Sequence, residues 1–218
     1  MPVYLDHNAS APLHPEVLDA MMPFLKGSYG NASSLHQNGR FLRSAVESAR
    51  QQVARLVNAS PQQVMFTSGG TEANNTVFKS LALSGTVRSI LTSPMEHASI
   101  LEPLKQVQQQ GCRVGMLAVT ENGVVNTALS QGAIADFKPQ LVSLQMANNE
   151  TGVIQPLQQV VDQSKSESGC LVHTDATQAI GKMQVDFEAL NVDMMSLSGH
   201  KFQGPQGCGA LIIKQQSL

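Results

Sequence analysis

Gln63-Val64-Met65-Phe66-Thr67-Ser68-Gly69-Gly70-Thr71-Glu72-Ala73 decides the fold class. A short β-type run ends in a Ser-Gly-Gly turn, and the turn opens directly into a helix-forming segment. Such a unit aims backbone N–H groups and the positive end of a helix dipole at one spot, where an anion should bind. Two glycines let the backbone approach a phosphate closely, and the Thr71 hydroxyl can add a hydrogen bond. A plain capped helix start fits the segment equally well. A P-loop does not, because the Gly-Lys-Ser/Thr ending is missing.

Working outward, the same alternation recurs. Short apolar runs at 63–67, 89–92, 113–119, 140–145, 170–174, 193–197 and 209–213 predict strands. Between them lie helical patterns at 15–25, 40–57, 71–83, 97–110, 127–136 and 157–167. The clearest is 40–57, where Leu42, Val46, Ala49, Val53 and Leu56 return at steps of four and three. The alternation predicts an α/β fold: a mostly parallel central sheet of about seven strands with helices on both faces. The segment 27–39 is rich in Gly, Asn and Ser and is expected to be a loop.

The chain has 218 residues, enough for one large core. Its net charge of -2 and the lack of any Lys/Arg run argue against nucleic acid as a partner. No apolar run approaches a membrane span and no basic leader opens the chain, so a cytoplasmic location is expected. Cys112, Cys170 and Cys208 are odd in number and lack CxxC spacing. Neither a disulfide framework nor a zinc ribbon is supported, and all three are expected to be buried thiols in strand-like surroundings.

Chemistry collects where the predicted strands end. Asp175 and Gln178 follow one strand and would share a face if a helical turn begins there. A carboxylate so placed could keep a pyridine nitrogen protonated, or it could simply cap the turn. Lys201, in Ser198-Gly199-His200-Lys201-Phe202-Gln203-Gly204-Pro205, sits between glycine turns. Low solvent access and the neighbouring His200 should lower its pKa enough for the amine to attack an aldehyde. Glu96-His97 lies at another strand-to-helix junction, where an imidazole could stack on a planar ring or merely cap a helix. Asn148-Asn149-Glu150-Thr151-Gly152 offers amide hydrogen bonds at a further strand end, or forms a turn. His173 with Asp175 could be read as a metal pair, but no third ligand has suitable spacing, so no metal is expected. Amine, carboxylate and phosphate cradle together are the parts needed to hold pyridoxal 5'-phosphate.

With these residues assembled, the chain resembles the cysteine desulfurase family, class V aminotransferase-like enzymes of fold-type I. The resemblance is carried in order by Tyr4-Leu5-Asp6 with Asn8-Ala9, Gly30-Asn31, Ser33-Ser34 with His36 and Gly39-Arg40, Phe66 to Asn74, Glu96-His97, Asn148 to Gly152, His173 to Gln178 and Ser198 to Pro205. It implies that Lys201 binds the cofactor aldehyde and moves protons, with His97 stacked on the ring and assisting. Asp175 would meet the pyridine nitrogen and Gln178 the ring oxygen. Gly70, Thr71, Ser198 and His200 would hold the phosphate, and Asn149 would lie near the ring oxygen or the substrate carboxylate. It further implies L-cysteine as substrate, alanine and an enzyme persulfide as products, a sulfur-acceptor or scaffold partner, and a homodimer.

On the same resemblance, residues 1–218 form the large cofactor domain, with 1–14 an arm that would pack on a small C-terminal domain missing from this chain. None of the three cysteines matches the family's persulfide cysteine. Apolar surface is then expected to lie open to solvent. Other class V enzymes, such as a selenocysteine lyase or an aminotransferase, share these cofactor residues. An idle scaffold subunit would have no need of Lys201 and Asp175 together, and a metal hydrolase built on His173 and Asp175 would show bound metal.

Overall fold

The computed structural model describes residues 3–214. Its strands are β1 Val64–Thr67, β2 Ser89–Thr92, β3 Arg113–Met116, β4 Leu141–Ser143, β5 Leu171–Asp175, β6 Met194–Ser198 and β7 Gly209–Ile213. The helices are α1 Pro15–Lys26, α2 Gln37–Leu56, α3 Gly70–Leu83, α4 Ala98–Gln109, α5 Thr127–Phe137, α6 Leu157–Glu167 and the short α7 Phe187–Leu190.

One seven-stranded sheet has the order β1-β7-β6-β5-β4-β2-β3. Five strands, β6 through β3, are mutually parallel, while β7 runs against both of its neighbours. Because β7 is reversed, β1 points the same way as the parallel set. The carboxyl ends of β1, β2, β4, β5 and β6 therefore share one edge, with the first residue of β7 among them.

Neighbouring residues along the central strands serve opposite faces. Ile90, Leu141, Met194 and Leu211 join a core under α3 and α4, whereas Leu91, Val142, Met195 and Ile212 join the core that also holds Ile134 of α5 and Val160 of α6. Both faces are covered, which is why these strands read as continuous apolar runs instead of alternating ones.

Three expectations are corrected. The strand expected over 113–119 stops at Met116, whose partner Thr92 is the last residue of β2. Beyond it, Val119 turns to bridge Val125. The loop expected over 27–39 gives way at Gln37, because His36 Nδ1 accepts the Gly39 N–H at 3.3 Å and starts α2 one turn early. Cys112 and Cys170 are buried, but Cys208 is exposed. It lies in the turn before β7, outside the ladder that gives strand residues their cover.

Residues 3–14 form an irregular arm with a turn at His7–Ala9 and pack on the lysine loop after β6. Ala11 N donates to His200 O at 2.9 Å and His14 N to Gln203 O at 3.0 Å. Met1 and Pro2 of the expected arm lie outside the described residues. Val3, Leu5, Tyr29 and Leu35 stand largely open to solvent, and α1 contains no buried residue. Among the described residues no helix is long and apolar enough to cross a membrane.

Candidate active site

The shared carboxyl edge forms a cleft of about 400 Å³. Gly70, Thr71, His97, Asn149, Asp175, Gln178, Ser198, His200 and Lys201 all line it, contributed by five strand ends spread over the chain. Open α/β sheets bind ligands at this edge because loops there diverge and helix N-termini point inward.

One end of the cleft is the turn before α3. The Gly70 backbone lies so close to β5's following turn that a Cβ there would sit 2.8 Å from Thr177 Oγ1. Gly209, at the start of reversed β7, lies between Thr67 and Ser198 in the ladder. A Cβ on Gly209 would sit 2.5 Å from Gly69 Cα, so the turn can settle against the sheet only because Gly209 has no side chain. One donor expected to be open is already used. Ser68 N donates to Glu72 Oε2 at 2.5 Å, and the hydrogen bonds from Ser68 hold that carboxyl below its usual pKa. The N–H groups that open α3 itself have no carbonyl partner within the helix, so they can donate to an anion.

At the other end stands Asp175, 7% exposed at the tip of β5. Its Oδ1 accepts Thr177 N at 2.9 Å, so the expected cap exists. Its Oδ2 accepts Asn74 Nδ2 at 2.8 Å, and Asn74 Nδ2 also donates to Ser99 Oγ at 2.9 Å. Ser99 Oγ in turn lies 2.8 Å from His97 Nδ1. Since Nδ1 also accepts the Ser99 backbone N–H at 3.0 Å, neutral His97 carries its proton on Nε2. His97 is thus both the cap of α4 and a wall of the cleft, and the chain from Asp175 through Asn74 and Ser99 ties its orientation to the carboxylate.

Lys201 is half-buried, and its Nζ donates to Asn8 O at 2.8 Å and Ala9 O at 2.9 Å. Burial lowers its pKa, while the charges of Asp175 and Asp6 oppose that shift. The expected help from His200 is replaced by the converse: burial and the Lys201 charge lower the pKa of His200. Gln178 Nε2 donates to Asn8 O at 2.9 Å, and Lys182 Nζ donates to Gln178 Oε1 at 2.6 Å.

The metal-pair reading of His173 fails on geometry. His173 is fully buried, with Nδ1 2.9 Å from Ser143 Oγ and Nε2 2.9 Å from Ser196 Oγ, so neither nitrogen is open to a metal. Among the described residues no group of three His, Cys, Asp or Glu side chains is placed to hold a metal ion. Burial lowers the His173 pKa to about 4, and the charge of Asp175 pulls the other way.

The unfolded chain therefore takes up this proton near pH 6.5 and the native one only near 4, so the stability present above 6.5 drains away as pH falls between them. The loss attributable to His173 is roughly 3 kcal/mol. Buried Glu96, whose pKa burial raises, gives the opposite slope above its usual value. Urea midpoints at pH 7 and 4.5 should consequently fall further for the wild-type chain than for His173→Asn, the difference between the two isolating His173.

Asn74, Ser99, Thr177 and Lys182 escaped the sequence reading as site residues. The Asn74–Asp175 contact joins positions 101 apart, which no local pattern reveals. Only the placement of Asn74 one helical turn after Gly70, on the same face of α3, hinted at it.

The class-V aminotransferase model matches residues 3–218. Mitochondrial cysteine desulfurase of Drosophila melanogaster is 42% identical over 99% of this chain and 47% of its own length. Among solved structures, a NifS-like protein superposes with a TM-score of 0.95 at 37% identity, covering 99% of this chain and 60% of its own. A structure described as SspA in complex with cysteine gives a TM-score of 0.93 at 32% identity, over 98% of this chain and 62% of the other. The chain spans about half the length of the curated relatives it matches. With its whole described length matched by one family's model, and with the same backbone path as solved relatives, the chain belongs to the class-V aminotransferase family.

Proposed function

We propose that the chain carries the cofactor site of a pyridoxal 5'-phosphate-dependent cysteine desulfurase, which takes sulfur from L-cysteine and yields L-alanine and a persulfide for iron-sulfur cluster assembly or thiolation. The observation that carries this reading is the meeting, in one cleft, of the Lys201 amine, the buried Asp175 carboxylate and the N-terminus of α3. The residues fit the cofactor. Thr177 Oγ1 and Asn74 Oδ1 are buried beside the site without a hydrogen-bond partner, and at Gly70 the backbone comes so close to Thr177 that a Cβ would clash with its Oγ1, which keeps this wall of the cleft bare. The names of the similar proteins, one of them described with cysteine bound, support the substrate.

When bound, pyridoxal 5'-phosphate supplies an electron sink conjugated to the substrate nitrogen. Asp175, held by Asn74 and Thr177 N, would face the pyridine nitrogen and keep a proton there. His97 would lie along the ring, its Nε2–H turned to the cleft. The opening N–H groups of α3, with Ser198 and His200, would take the phosphate. Lys201 Nζ, its pKa lowered by burial, would attack the aldehyde and later move a proton.

The sulfur-accepting thiol is none of the three cysteines in this reading. Burial raises the pKa of Cys112 and Cys170, which disfavours the thiolate that transfer requires, and Cys208 belongs to the turn ahead of β7. The open apolar side chains of residues 3–35 support an association surface, for which we propose a second copy. A cytoplasmic site of action remains part of the proposal, although the Drosophila relative is named mitochondrial.

The test is a near-visible absorption spectrum of the folded chain with added pyridoxal 5'-phosphate, then borohydride reduction and peptide mass mapping. A visible band and a reduced link on Lys201 are expected. A folded chain showing no band, or a link spread over surface lysines, overturns the assignment.

A further inference from the structure

Lys182 meets two side-chain amides beside the cleft, one of them on the cleft-lining Gln178. Its Nζ donates to Gln178 Oε1 at 2.6 Å and to Asn8 Oδ1 at 2.8 Å. An ammonium has donors and no acceptor, so both amides must turn their oxygens toward it. Their NH2 groups are left to point elsewhere. Gln178 Nε2 donates to Asn8 O at 2.9 Å, and Asn8 Nδ2 donates to Asn149 O at 3.3 Å.

A glutamine amide has two orientations of equal shape, and only its neighbours choose between them. At Gln178 the choice decides whether the cleft meets a donor or an acceptor. We propose that Lys182 is a positioning residue: it orients the Gln178 amide so that the NH2 group faces the cleft, and through Asn8 it clasps the N-terminal arm across the same opening. The proposal rests on the cofactor reading above for its consequence, since the group Gln178 would meet there is an oxygen acceptor on the ring.

The geometry is local enough to form and remote enough to matter. Gln178 and Lys182 are four apart on the turns that follow β5, so their side chains meet without strain. Asn8 comes from 174 positions away, and its backbone carbonyl also takes the Lys201 amine. Burial first and the Lys201 charge second lower the Lys182 pKa. That places the two amines in one electrostatic neighbourhood, with Asn8 between them.

The experiment compares wild type, Lys182→Met, Lys182→Arg, Gln178→Ala and the Lys182→Met/Gln178→Ala double variant. Without cofactor, the readouts are the side-chain amide NMR signal of Gln178 and hydrogen exchange of residues 6–10. With pyridoxal 5'-phosphate, they are its dissociation constant and the pH midpoint of the visible band.

Lys182→Met should broaden or shift the Gln178 signal and speed exchange in the arm. It should weaken cofactor binding by about tenfold, the scale of one charged hydrogen bond discounted for solvent. It should also move the band's pH midpoint in the same direction as Gln178→Ala. The double variant should lose little beyond Gln178→Ala, and Lys182→Arg should recover much of the effect.

Unchanged affinity and midpoint in Lys182→Met, where Gln178→Ala alters both, would overturn the proposal while leaving the cofactor reading intact. Fully additive losses in the double variant would do the same. If the wild-type chain takes up no pyridoxal 5'-phosphate, the cofactor reading falls. The two cofactor-free readouts still judge the clasp, which is overturned if Lys182→Met leaves both as in wild type.

Discussion

Lys201→Ala should abolish the borohydride-stable link to pyridoxal 5'-phosphate and the visible band that accompanies it. Among the described residues that line the cleft, Lys201 is the only primary amine: Asp175, Gln178, His97 and Asn149 contribute a carboxylate, amides or an imidazole. Its setting suits the task, because burial shifts the ammonium toward the free base. Lys201→Arg should fail just as completely, since a guanidinium keeps its proton and cannot act as the nucleophile. The fold should persist in both variants. Lys201 Nζ holds only the arm, through Asn8 O and Ala9 O, and contributes nothing to the two cores of the sheet. The check is mass mapping after reduction alongside circular dichroism. A retained band in a folded Lys201→Ala chain would move the covalent chemistry to another residue.

Gly209→Ala is the substitution expected to damage the fold most. The added methyl would meet Gly69 Cα at 2.5 Å, Gly69 C at 2.7 Å and Leu197 O at 2.7 Å. All three are backbone atoms and cannot swing aside. Either β7 shifts in its ladder with β1 and β6, or the turn before α3 lifts away from the sheet. The cost is about 3 kcal/mol, at the upper end for forcing a methylene-sized group into a packed core. Because the turn is also the end of the cleft proposed to hold the phosphate, phosphate and pyridoxal 5'-phosphate affinity should fall with stability. Gly132→Ala is the control. It lies exposed within α5 with nothing near its would-be Cβ, and should stabilise the chain by about 0.5–1 kcal/mol. A urea midpoint for Gly209→Ala equal to wild type would show that the close approach is not required.

Much of the architecture could be read from neighbouring residues alone. Apolar runs of strand length, separated by helices with one apolar face, commit the chain to a sheet covered on both sides, and the glycine turn at Ser68 to Thr71 marks one end of the ligand cleft. Local order also placed Asp175, Gln178, His97 and Lys201 at strand ends, and strand ends share an edge once the strands are parallel.

Other features depend on residues meeting that are far apart in the chain. The reversal of β7 puts Gly209 beneath Gly69, a contact whose need for glycine shows only when both backbones are in place. Burial of Asn74 beside Asp175, and of both nitrogens of His173 against Ser143 and Ser196, turns residues of ordinary type into parts of one network or removes them from chemistry. Cys208 shows the opposite error: it sits in an apolar stretch, yet the turn leaves it in solvent. Periodicity reports which side of an element is apolar, because that follows from backbone geometry within a few residues. Which donor meets which acceptor follows from how the elements pack, and Lys182, reaching Asn8 across 174 positions, is legible only there.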